Sequence, residues 1–441
     1  MKAVEGIPKV SRLRFYANAR RILKNPLPFH HERFEALGDT FQLNVGWGRT
    51  VVFSRDPGLA EYVLQKNQKN YTKSPIQTED VAKYLGKGLL TSEGEHWRKQ
   101  RKLIQPAFHK KQLVNLLGSM NSAILEELNR VKTDQPMDIF PVFNDLAFQT
   151  VVKSLFSSAV GQEEIRRLQY ITESAQKMLV RELRQPYLNW WFKWHGDIQH
   201  NIDLTHEARG ILKGIIDERK ASGHREDDLL DMLLDARYDD GSAMSEKQLI
   251  DEILILFTAG HETTSNALTF TCELLARHPK VQDKIASEVK AAKEQTDDLF
   301  ELLRKCSYTQ SAIEESMRLY PPAYFIDRVN TEEDEFEGKI IPKDSSLLFS
   351  VYEIHRNPKF WKDPEEFIPG RFSEGRQTNY YPFGAGPRKC IGNNFAMYEM
   401  VLSIAELISR YSISTNKERI EILPLITLKP KNAFMNFRLQ D

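Results

Sequence analysis

A mainly α-helical protein with a smaller β portion is what this 441-residue sequence predicts, and three observations carry the prediction. Helical periodicity with charged outer faces runs from Asp56 to about Leu319. Strand-forming residues bunch between turn residues in three places, roughly 38–55, 339–351 and 411–441. No internal repeat or low-complexity linker separates these parts, so residues 1–441 are expected to form one large composite domain.

Taken in order, the first β-rich stretch centres on Phe41 to Phe53. The second surrounds the turn Pro342-Lys343-Asp344, and the third runs from Tyr411 to Leu439 with Pro424 and Pro430 as punctuation. Within the helical body, Asp217 to Ser242 is hydrophilic and reads as surface loops. One helix stands out. Ser245 and Gln248 have capping-box spacing, and Pro279 marks the far end. At its middle lies Ala259-Gly260-His261-Glu262-Thr263-Thr264-Ser265, where glycine and carbonyl-seeking side chains are expected to loosen the ladder. A zinc-protease reading of His261-Glu262 fails, because the second histidine of HExxH would have to stand at 265, which is Ser.

Composition narrows the function. Hydrophobic residues make up 41%, enough for a large core and against disorder. Sixty-one basic residues balance 61 acidic ones, which argues against a nucleic-acid binder relying on a basic excess. Cys272, Cys306 and Cys390 lie far apart with no CxxC, so neither a disulfide scaffold nor a structural zinc site is expected. No run approaches the roughly 20 apolar residues of a membrane anchor. The protein is expected to be soluble, cytoplasmic and reduced.

Cys272 and Cys306 read as small buried hydrophobes. Cys390 differs because of its frame, Tyr380-Tyr381-Pro382-Phe383-Gly384-Ala385-Gly386-Pro387-Arg388-Lys389-Cys390-Ile391-Gly392. Glycines and a proline precede it and helical spacing follows, so the thiol is expected where a loop enters a helix. Backbone N–H groups and the dipole favour a thiolate there. Glycines also admit something flat and bulky close to the backbone.

Phe383, Gly386, Arg388, Cys390 and Gly392 form F-x-x-G-x-R-x-C-x-G, which resembles the haem-binding loop of the cytochrome P-450 monooxygenases. Further segments resemble that family in the right order. Trp97-x-x-x-Arg101 is similar to its haem-propionate helix, Ala259 to Thr264 to its oxygen-activating helix, Glu315-Ser316-Met317-Arg318 to its ExxR pattern, and Phe367 to Phe372 to its meander arginine segment. The resemblance spans about Gly38 to Lys431.

It implies haem b as cofactor, held through its iron by Cys390, with O2 as co-substrate and electrons ultimately from NAD(P)H. Arg388, Trp97 and Arg101, with Arg328 and Lys73, would contact the propionates. Glu315, Arg318 and Arg371 would form a buried triad fixing the cysteine loop. Glu262 and Thr263 would be the acid–alcohol pair delivering protons to bound O2. Leu90, Ala259, Ala323, Phe325, Ile426 and Thr427 fall at family pocket positions. Pro186 to His195 falls where the family has its lid. Its aromatic residues read either as packed on the core or as a stacking surface for a ring-shaped substrate, with Asn189 and His195 hydrogen-bonding to it.

The implied activity is insertion of one oxygen atom into a C–H bond of a small organic substrate. This is either hydroxylation of a fatty-acid-like compound or oxidative O-demethylation of a methoxylated one, such as a methyl sugar, with release of formaldehyde. Rivals are a peroxygenase or isomerase/dehydratase needing no electron donor, and a non-catalytic haem or gas sensor; Glu262 and Thr263 weigh against both. Only 51 residues follow Cys390, so a separate ferredoxin or flavodoxin with its reductase is expected. It would dock on a basic face formed by Arg98, Lys99, Lys102 and Lys389. The resemblance is to soluble bacterial members, and a monomer is expected.

Overall fold

Ser245 and Pro279 bracket the longest helix. In the computed structural model, which describes residues 4–44, 50–133, 135–157, 160–375 and 377–440, this central helix runs Glu246–Arg277, with the Ser245 hydroxyl accepting from the Gln248 N–H at 3.2 Å. Pro279 opens the next helix, Pro279–Lys293, where its missing N–H costs nothing. The loosening expected around Gly260 is absent. Thr258, His261 and Thr263 bond the carbonyls of Leu254, Phe257 and Ala259 at 2.9, 2.6 and 2.7 Å. These bonds add to the backbone ladder instead of replacing it, and the helix is continuous.

The architecture is mainly helical with a smaller sheet portion. The chain divides into two compact units. One comprises Met1–Ser74, Glu314–Cys390 and Glu421–Lys431; the other comprises Pro75–Ile313, Ile391–Ile420 and Asn432–Asp441.

The first unit contains a six-stranded sheet in the order Lys9–Val10, Thr40–Asn44, Thr50–Ser54, Ser346–Ser350, Phe325–Asn330, Tyr71–Thr72. Thr40–Asn44 and Thr50–Ser54 are the antiparallel pair expected from the first β-rich stretch; its residues 45–49 lie outside those described. Phe325–Asn330 was not foreseen. Asp327, Arg328 and Asn330 interrupt its apolar alternation and hide the strand from a pattern reading. One face of the sheet packs Val52, Leu347 and Phe349 on Val63 and Tyr71; Phe41 and Phe53 stack at 5.2 Å on the other side.

The second unit is built on the central helix, most of whose residues are buried. Phe148 and Phe156 of the helix Phe140–Phe156 pack on its Phe257 at ring separations of 5.6 and 5.9 Å. Asn393–Arg410, which follows the cysteine loop, buries Met400, Leu402, Ile404 and Leu407. The region 217–242, expected as loops, contains the helix Leu229–Asp235. Arg219 explains it. Its buried guanidinium is held by Asp228 and Asp231, each at 2.9 Å, and this pulls Leu229, Leu230 and Leu233 inward. Among the described residues no helix is long and apolar enough to cross a membrane.

Candidate active site

Cys390 ends a loop whose shape its glycines permit. Gly384 and Gly386 both have φ +69°, and a Cβ on Gly386 would lie 1.9 Å from the Leu64 carbonyl oxygen. The Gly384 N–H bonds the Tyr381 carbonyl at 3.0 Å, and the Cys390 N–H bonds the Phe383 carbonyl at 2.9 Å. The loop is thus closed on itself, with the Cys390 thiol exposed. The other two cysteines are wholly buried, and burial pushes the Cys306 thiol up to about 12.

Behind the loop stands a residue that the sequence reading missed. His355 is fully buried, and its Nε2 accepts from the Tyr381 N–H at 2.8 Å. Burial, with Arg318 and Arg356 nearby, lowers its pKa to about 3, so the ring is neutral. The His355 carbonyl in turn accepts from Arg318 Nη1 at 2.8 Å. Arg318 uses all five of its N–H donors. Nε and Nη2 grip Glu315 at 2.7 and 2.9 Å, and the others reach the carbonyls of His355, Pro364 and Glu366 at 2.7–3.0 Å. Arg371 Nε lies 3.1 Å from the same Glu315 carboxylate, so the structure brings all three predicted charges together. Hydrogen bonds therefore run from Arg318 through His355 to the residues preceding Cys390.

Of the predicted cations in this unit, Arg388 is half-buried, whereas Lys73 and Arg328 are buried. The antiparallel register Thr72 to Val329 puts Lys73 and Arg328 in adjacent positions. Two of the predicted pocket segments, both in this unit, also meet. Tyr324 OH bonds the Leu425 carbonyl at 2.6 Å, and the Leu428 N–H bonds the Pro322 carbonyl at 2.9 Å. These bonds bring Ala323 and Phe325 near Ile426 and Thr427.

In the second unit, the centre of the otherwise buried central helix is open. Ala259 is exposed, and Leu256, Gly260, Glu262 and Thr263 are half-buried. Gly260 is needed for packing, since a Cβ there would come within 3.0 Å of Val151. Trp97 and Arg101 lie one turn apart on the helix Gly94–Ile104; Trp97 is buried and Arg101 half-buried, with its Nε 3.3 Å from Gln105. On that helix Lys99 pairs with Glu95 at 3.1 Å and Lys102 with Asp239 at 2.6 Å, so the predicted basic face is partly neutralised.

The lid segment is a short helix, Asn189–His195, and the reading in which its aromatic residues pack on the core is corrected. Only Phe192 is buried. Tyr187, Trp190 and Trp194 are 62–74% exposed and Trp191 is 40% exposed. His195 is held by Asp197 at 2.9 Å.

A profile of the family described as Cytochrome P-450 matches residues 8–437. The chain belongs to the cytochrome P-450 family. Among its relatives are the cyclooctat-9-en-7-ol 5-monooxygenase of Streptomyces melanosporofaciens, 29% identical over 385 residues, 86% of this chain and 83% of that one. The pentalenene oxygenase of Streptomyces avermitilis is 26% identical over 408 residues, covering 91% and 90%. Cytochrome P-450 4A7 of Oryctolagus cuniculus is 28% identical over 418 residues, covering 88% and 81%.

This chain is thus a cytochrome P-450 monooxygenase, of a family that uses haem b, O2 and electrons derived from NAD(P)H through redox partners. The residues fit that cofactor. An exposed thiol ends a loop whose turns depend on Gly384 and Gly386, and on the core helix of this P-450 the small residues Ala259 and Gly260 are accessible.

Proposed function

We propose that this cytochrome P-450 inserts one oxygen atom into a C–H bond of a small apolar substrate, with Cys390 as thiolate ligand of the haem iron. Haem b, when bound, supplies activation of O2 and transfer of one oxygen atom to carbon. The chain's own residues do the rest. The Phe383–Cys390 loop fixes the sulfur through its internal hydrogen bonds. Arg388, Trp97, Arg101, Lys73 and Arg328 are the donors assigned to the haem carboxylates, arginine through its planar fork.

Glu262 and Thr263 are assigned proton delivery. The Thr263 hydroxyl donates to the Ala259 carbonyl at 2.7 Å, which turns its lone pairs outward to accept from a water. The half-buried Glu262 carboxylate beside it can relay protons to that water. The observation that carries this reading is the accessibility of Ala259, Gly260, Glu262 and Thr263 in the middle of a buried helix.

Leu90, Ala259, Ala323, Phe325 and Ile426 favour an apolar substrate and hydroxylation. O-demethylation of a methyl sugar draws less support, because His195 is engaged by Asp197 and the tryptophans face outward. Electrons are assigned to a separate ferredoxin or flavodoxin with its reductase, and the chain to a monomer. The test is a low- to high-spin spectral screen of fatty acids, aromatic methyl ethers and methylated sugars, followed by turnover with NAD(P)H and a surrogate ferredoxin system. A spin shift and oxygenated product from the fatty acids support the reading. Response to the sugars alone, with formaldehyde release, overturns it.

A further inference from the structure

Two adjacent carboxylates on the central helix, Asp251 and Glu252, are 0% and 1% exposed. Buried carboxylates are costly unless they are partnered, so their partners show what they are for. Both face the loop between Leu85 and Glu93. Asp251 Oδ2 accepts from the Lys87 N–H at 3.0 Å and Glu252 Oε2 from the Leu89 N–H at 2.9 Å. Gln248 Nε2, one turn earlier, bridges the Lys87 carbonyl at 2.8 Å and Glu252 Oε1 at 3.0 Å. The close approach requires glycine. A Cβ on Gly86, at φ +83°, would lie 2.2 Å from Asp251 Oδ1, and one on Gly88 would lie 2.6 Å from Glu252 Oε2.

Arg209 joins a third element to the clasp. From the helix Asp197–Ser222, which follows the lid helix directly through Gly196, its Nη1 lies 2.5 Å from Asp251 Oδ1. Its Nη2 donates to the Leu85 carbonyl at 3.3 Å. The loop is also knotted internally: Thr91 Oγ1 donates to the Gly86 carbonyl at 2.7 Å, and Ser92 Oγ donates to the Gly88 carbonyl at 2.6 Å. What this rigid loop presents is Leu90, which packs in one cluster with Ile255 of the central helix and Phe192 of the lid helix. Ile255 is one turn before Ala259, on the same helical face.

We infer that Asp251, Glu252 and Arg209 are positioning residues that hold the Leu89–Leu90 loop against the Ile255–Ala259 face and so determine which C–H bond of the substrate is oxidised. This rests on the proposed oxygenase reading. None of the three touches the reacting atoms. They act through the backbone of the loop, and Arg209 ties that backbone to the helix carrying the lid.

The test is amide hydrogen exchange on the full-length holoenzyme, read at the peptide covering 83–93, with dodecanoic acid as the turnover probe because it offers many similar C–H bonds. In Asp251→Asn and Arg209→Met, exchange in that peptide should quicken by roughly tenfold while 262–275 stays protected. The positional spread of hydroxylated products should widen at little-changed substrate affinity. Arg209→Lys should restore both in part, because it returns the charge without the fork. The double variant Arg209→Met/Asp251→Asn strands less charge and serves if a single variant misfolds. Unchanged exchange overturns the clasp, and quickened exchange with an unchanged product pattern overturns its role in specificity. If the wild-type protein makes no product while its loop is protected, it is the oxygenase reading that fails, and the specificity claim with it.

Discussion

Arg318 grips Glu315 with two parallel bonds of 2.7 and 2.9 Å, and both side chains are wholly buried. Neither charge can reach water if its partner is lost. Replacing Arg318 by Ala takes from Glu315 its two-bond partner, leaving it Arg371 and the Ile368 N–H, and removes the donors to three carbonyls. We predict a loss of about 3–5 kcal/mol, the usual cost of breaking a buried pair. Denaturant unfolding would show it, and a loss below about 1 kcal/mol would mean that the pair behaves like an exposed one.

The two glycines of the cysteine loop should not be equivalent. Gly384→Ala meets only the Ile326 side chain at 3.9 Å and carries the φ > 0 penalty, about 1–2 kcal/mol. Gly386→Ala adds a collision with the Leu64 backbone oxygen, for roughly 1–3 kcal/mol more, and should displace Cys390. Melting temperature and haem retention check the order; equal effects would contradict it.

Acid should destabilise the fold through two histidines. Burial holds His30 and His355 at about 3, well below the unfolded value near 6.5. Between those limits the unfolded chain binds more protons, so stability falls as pH drops below about 6.5, by up to ~1.4 kcal/mol per unit for each ring. His30 sits among Phe29, Phe53 and Phe325 with Nδ1 lacking a partner, so His30→Phe should flatten the acid limb. An unchanged slope in melting temperature between pH 6.5 and 4 would remove His30 from the account.

Thr263→Ala should separate O2 use from product formation, since the hydroxyl assigned to hold a water is gone. NAD(P)H oxidation continues, peroxide rises and product falls by roughly 100-fold, the lower end of what positioned proton transfer contributes. Thr263→Ser should retain coupling. Full coupling in the alanine variant would refute the proton-delivery role.

The sequence was informative where local chemistry decides structure. Ser245, Gln248 and Pro279 set both ends of the central helix because caps act within one turn. Glu315 and Arg318 share a helix face at any three-residue spacing, so their pairing was readable. What stayed hidden depends on contacts far apart in the chain. His355 meets Tyr381 across 26 positions, and Asp251 meets Lys87 across 164; no short motif contains either pair. The lid misled for another reason. Aromatic residues usually indicate burial, and here three tryptophans lie outside the core.

The most direct measurement is the carbon monoxide difference spectrum of the reduced, purified protein beside Cys390→Ser. The wild type should show the red-shifted Soret band of thiolate ligation, and the serine variant should lose it while its peptide fold persists by circular dichroism. A wild-type spectrum without that band, or the same band from the serine variant, would contradict the assignment of Cys390 as the iron's ligand.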